Sequence, residues 1–133
     1  MKYIFILILL VQIQTLSSQQ ILEDHPLSKT IEETSGLEII DNMLITHNDS
    51  GGEPALYYLD KEGKIVDTRK ITGVKNNDWE DVTRDDEFIY VANMGNNFDT
   101  RKNLSIIKIP IKKSLNETVE VINFLYPEQK KFN

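Results

Sequence analysis

Two stretches of this chain repeat one pattern 45 residues apart, and that repeat limits the possible folds more than any other feature. "SGLEIIDNMLITHNDSGG" (35–52) aligns with "EDVTRDDEFIYVANMGNN" (80–97). Leu37 falls on Val82, Asp41-Asn42 on Asp86-Glu87, "MLIT" on "FIYV", Asn48 on Asn93 and "SGG" on "GNN". The next apolar runs, "LYYL" and "SIIK", match at a slightly longer offset.

From Thr34 onward the pattern is all β, with short runs of Ile, Val, Tyr and Phe between turns of Asp, Asn, Gly and Lys. "LEII", "MLITH", "ALYYLD", "KIVDTRKI", "FIYVAN", "LSIIKIPI" and "TVEVINFLY" are predicted strands, and no segment offers a helix of useful length. "DN" (41–42), "KEG" (61–63) and "DDE" (85–87) suit hairpin connections. Four short strands per period of roughly 40–50 residues is the make-up of one β-propeller blade. An all-β propeller is therefore expected, with about two blades of four antiparallel strands: blade one over 33–72 and blade two over 78–126. Propellers typically need about four to eight blades to close, so the ring is expected to be incomplete and the chain an N-terminal fragment.

The start, "MKYIFILILLVQIQTLSSQQ", reads as a secretory signal peptide over 1–18. Lys2 supplies the charged end, Tyr3 to Ile13 the apolar core, and Ser17 and Ser18 the small-residue cleavage zone. This apolar run is well short of the roughly 20 residues that span a bilayer. The mature protein is expected to start near Gln19, with a lead-in segment (19–32), in the periplasm or outside the cell. It contains no cysteine, so disulfides cannot hold it together. A net charge of −6 argues against nucleic acid or an anionic membrane as partner, because phosphate binding needs clustered Lys and Arg. The expected partner is a small molecule or a protein.

"ETSGLE", "LITHNDSGGEPALYYLDKEGKIV", "DWEDV", "IYVANMGNN" and "LSIIKIP", in that order and spacing, carry a resemblance. They look like a group of secreted bacterial β-propeller proteins of uncharacterised function, with weaker similarity to the six-bladed calcium propellers that include paraoxonase, gluconolactonase and strictosidine synthase. The resemblance covers about Glu33 to Phe132 and implies further blades, with another acidic motif soon after. It also implies a channel end lined by residues from successive blades, where calcium is held by a glutamate at an innermost strand with Asn and Asp from other blades. Carboxylate and amide oxygens are the donors of such a hard cation. By that analogy Glu80 is the first candidate ligand. Asp81, Asn48, Asp49, Asn93 and Asn96 follow, and Glu33 holds nearly the repeat position of Glu80. Asp81 and Asn96 equally suit turn-capping.

"NNDWEDV" (76–82) surrounds the single tryptophan with acids and amides. Strand alternation places Trp79 and Glu80 on opposite faces, so Trp79 is expected between sheets if Glu80 faces the channel, with Asn76 to Asp78 in the approach loop. His47 follows "LIT" and precedes "NDSGG"; with a strand ending there, its imidazole is expected on a loop, where it can serve as a general base or bind substrate. "NDSGG" is neither the G-x-S-x-G nucleophile elbow nor an EF-hand loop. Two functions follow: a binding scaffold stabilised by calcium at the channel mouth, or a metal-dependent hydrolase of lactone, ester or phosphate substrates with its site completed by other blades.

Overall fold

The computed structural model describes residues 21–113 and 118–126. The expected signal peptide and its cleavage zone lie outside these residues. Eight strands follow in chain order: β1 (Thr34–Ile40), β2 (Met43–Asn48), β3 (Ala55–Leu59), β4 (Ile65–Lys70), β5 (Trp79–Arg84), β6 (Phe88–Asn93), β7 (Leu104–Pro110) and β8 (Glu120–Phe124). Each of the seven predicted runs overlaps one strand, and the eighth, β5, lies in "WEDVTR". Among the described residues one 3₁₀ turn, Lys29–Ile31, precedes them, with the Ser28 side chain accepting from the Thr30 amide.

The strands form two antiparallel four-stranded sheets in the orders β1-β2-β3-β4 and β5-β6-β7-β8. Hereafter these are sheets A and B. They do not close into a barrel. In sheet A, Ile40 pairs with Met43 across a two-residue turn whose residues both have positive φ, Asp41 at 50° and Asn42 at 64°. A turn of that hand matches the twist of the flanking strands, and Asp and Asn tolerate its backbone. In sheet B the Asp85 carboxylate closes the corresponding turn, accepting from the amides of Glu87 and Phe88 at 2.8 and 2.7 Å.

One core joins the sheets. Ile40, Ile45, Leu56, Tyr58 and Ile71 from sheet A and its exit loop meet Trp79, Val82, Ile89, Val91, Ile107 and Ile109 of sheet B. The alternation of buried and less buried residues along β6 and β7 comes from this contact, because only one face of each strand meets the other sheet.

The 45-residue repeat becomes physical contact where β1 and β5 lie side by side. Ser35 Oγ donates to the Glu80 carbonyl at 2.6 Å, Thr83 Oγ1 to Glu38 at 3.3 Å, and Arg84 Nε to the Ile39 carbonyl at 2.9 Å. Each bond joins a residue to the one 45 positions away, so the two strands run in the same direction and in register. Both carry a bulge near their N-terminal end, between Ser35 and Glu38 in β1 and between Trp79 and Asp81 in β5. Gly36 makes this approach possible. A Cβ there would stand 2.7 Å from the Val82 amide nitrogen and 2.9 Å from the Asp81 Cα, and its φ of +69° also suits glycine.

Gly51 separates these two effects, since it has a nearly identical φ of +70° with open space around it. Gly51→Ala should cost about 1–2 kcal/mol from backbone strain alone. Gly36→Ala should cost clearly more, because the backbone of β5 must also retreat. Urea midpoints of the two variants compare them directly, and equal losses would show that β1 and β5 are not in close contact.

Candidate metal centre

The chain leaves β2 at Asn48 and enters β5 at Trp79, and two hydrogen bonds bring these points together. The Trp79 amide donates to the Asp49 carbonyl at 2.8 Å, and Asn76 Nδ2 donates to the Asn48 carbonyl at 2.9 Å. A third strand end joins them, because the Gly95 amide, just past β6, donates to the Asp78 carbonyl at 3.1 Å. As a result Asp49, Asp78 and Glu80 each place one carboxylate oxygen within 4.8 Å of the others. Glu80 occupies the bulge in β5, a feature that re-aims a side chain away from the regular pleat. Gly95 lies directly against this group, and a Cβ there would overlap the carboxyls of Asp78 and Glu80.

Three acids at this spacing repel one another. Partial burial, then Asp49 as hydrogen-bond partner and neighbouring charge, raises the Asp78 pKa above its ordinary 3.8. Partial burial, then the charges of Asp49 and Asp78, raises that of Glu80 above 4.5. Arg101 opposes both shifts. Its guanidinium is held by the Gly95 carbonyl at 2.7 Å, the Asn93 carbonyl at 3.2 Å and Asn93 Oδ1 at 3.1 Å. Asp49 Oδ1 is shut off from solvent and has no hydrogen-bond donor among the described residues. An acceptor in that state suits a bound cation.

Of the residues singled out in the sequence, Glu80 and Asp49 belong to this group. Asp78, read there as part of the approach loop, is its third member. The signal was present in "DWE": residues two apart in an extended chain point the same way, so Asp78 sides with Glu80 and Trp79 faces the opposite side. The other candidates have different partners. Asp81 is exposed and accepts from the Val82 amide at 2.8 Å, and Asn96 Oδ1 accepts from the Arg101 amide at 2.8 Å. Asn93 is buried, donates to Ser105 Oγ and positions Arg101. Asn48 Nδ2 donates to the Thr30 carbonyl at 2.9 Å. Glu33 has an exposed side chain, and its carbonyl accepts from the Asp49 amide at 2.8 Å.

His47 is not on a loop. Strand β2 runs through it, it is fully buried, and its ring meets the fully buried Trp79 edge-on with centroids 5.5 Å apart. Burial outweighs the nearby carbonyls and acids and lowers its pKa from 6.5, so the imidazole stays neutral at pH 7. Its Nδ1 lies 3.1 Å from the Asn48 carbonyl, and the ring is enclosed in the core.

No family model, curated protein or solved structure matches the chain, so the propeller resemblance rests on the quoted motifs.

The raised carboxyls give a pH dependence of definite sign. Between the unfolded and folded pKa of such a group the folded state holds more protons, so stability falls as pH rises through that window. Stability contributed by protonated Asp78 and Glu80 is therefore complete below about pH 3.8–4.5 and is lost above it as the folded pKa values are passed. In metal-free buffer, Glu80→Gln should raise the urea midpoint relative to wild type at pH 7, and the gain should vanish near pH 4. A gain that does not change with pH would place Glu80 outside the repulsive group.

Proposed function

We propose that sheets A and B are successive blades of a secreted or periplasmic β-propeller. Asp49, Asp78 and Glu80 hold a calcium ion at one end of its channel, where the protein binds a small molecule or another protein. The blade reading is supported by the two four-stranded meanders in chain order and by β1 and β5, which stand side by side at a constant 45-residue offset as innermost strands. The observation that carries the cation is the meeting of three carboxylates from both repeat units around the buried, undonated Asp49 Oδ1.

The donors favour a hard cation. All three are carboxylate oxygens, the chain has no cysteine, and His47 is turned onto Trp79. Calcium takes about six to eight oxygens at flexible geometry, whereas three carboxylates giving one oxygen each leave several positions unfilled. The remaining positions are open to a ligand. Binding is preferred over hydrolysis because the imidazole that would have served as general base is enclosed in the core.

Calorimetric titration of the full chain with calcium tests this reading. Asp49→Asn, Asp78→Asn and Glu80→Gln should each weaken calcium binding about tenfold or more. Trp79, the single tryptophan, sits between two of the ligands and gives a fluorescence signal for the same titration. Calcium should also raise the melting temperature at pH 7 and lose that effect near pH 4, where the raised carboxyls of Asp78 and Glu80 hold their protons. Equal affinity in wild type and all three variants would sink the reading.

A further inference from the structure

The repeat that relates the sheets also relates their faces. Sheet A meets sheet B through Met43, Ile45, Leu56 and Tyr58. The pairings Ile45 with Tyr58 and Tyr90 with Lys108 carry the equivalence from the second strand of each sheet to the third. The positions in sheet B that correspond to the four docking residues are therefore Phe88, Tyr90, Ile106 and Lys108. They lie on the face turned away from sheet A, where they are only half-buried and the neighbouring Ile122 is 43 % exposed. Sheet B receives sheet A on the opposite face, through Ile89, Val91, Ile107 and Ile109. Leu44, Tyr57 and Leu59 of sheet A correspond to Ile89, Ile107 and Ile109, and they lie on the face of sheet A turned away from sheet B. The chain thus holds both halves of a second interface of the kind that already joins its sheets.

The two halves are in different states. Among the described residues nothing covers the far face of sheet B, whereas that of sheet A is covered by the lead-in segment. Ile31 is 2 % exposed and forms a separate core with Ala55, Tyr57 and Leu59, while Leu27 lies against Gly63. The Asn48 side chain ties the segment down at the Thr30 carbonyl.

We propose that Leu27–Ile31 is a displaceable strap, covering the face on which a second copy of this chain would dock the open face of its sheet B, head to tail. The occupant is argued from continuity, since the contact repeats the one between sheets A and B. Charge agrees with it. Between the sheets, Lys113 Nζ meets Asp67 at 2.6 Å. Glu120 holds the position of Asp67 by strand pairing, and the turn with Lys61 and Lys64 holds that of the segment leading to Lys113. The second interface would again bring lysine to carboxylate. A head-to-tail contact builds a ring where the rotation closes and a filament where it does not. The proposal rests on the equivalence of faces and is independent of the calcium reading.

Light scattering on the full chain after size exclusion tests the strap. Wild type should run as a monomer. Ile31→Asp puts a charge under the strap and should produce concentration-dependent association. Adding Tyr90→Glu, on the open face, should return that variant to monomer. Leu27→Asp, at the strap's outer end, should act like Ile31→Asp with less risk to the fold, and decides the matter if Ile31→Asp does not fold by circular dichroism. The proposal is overturned if folded strap variants stay monomeric, if their association ignores Tyr90→Glu, or if wild type already associates through Tyr90.

Discussion

The structure depends on the contact between β1 and β5. Two strand backbones meet there without sharing a hydrogen-bond ladder, and Gly36 provides the necessary space against Val82 and Asp81. Three side chain-to-main chain or side chain-to-side chain bonds, each spanning 45 residues, set the register. Once that register is set, the apolar faces of the two sheets meet over one shared core and the loop after β2 arrives beside the start of β5. A shift of one residue would break all three bonds and move the loop after β2 away from the start of β5, so the core and the acidic group are specified together.

The acidic group is a local conflict that the rest of the fold tolerates. Two of its carboxyls are held above their ordinary pKa values, although Arg101 sits close by to moderate them. Directly behind it, Trp79 and His47 form a fully buried edge-on aromatic contact. Repulsion on one face of β5 is thus supported by packing on the other, a division of labour that follows from strand alternation. Local destabilisation of this kind is common where a protein is arranged to bind a ligand.

Much of this was legible from the sequence through two periodicities. The period of two located the strands, and the longer repeat assigned them to two equivalent units. The residues that misled were those whose role is set by a neighbour distant in sequence. Asn93 and Asn96 have the donor chemistry of metal ligands, yet both serve Arg101, which local pattern gives no reason to notice. His47 follows a strand-like run and precedes a turn, so it reads as a loop residue; only the position of Trp79 in space shows that it is enclosed.

The sequence by itself determined the class of fold, the number of repeat units, the turn between β1 and β2 and the alternation that separates Trp79 from Glu80. These follow from local backbone preference and the burial of apolar side chains, which act over a few residues. Tertiary structure alone decided which acids meet. Asp49 lies 29 residues before Asp78 in the chain, and they converge only because two sheets dock face to face with a glycine at the contact. It also decided that the lead-in segment covers the outer face of sheet A, since that segment carries no periodicity that reveals where it lies. Local pattern records the shape of each strand, whereas the relation between sheets is fixed by packing that no short stretch contains.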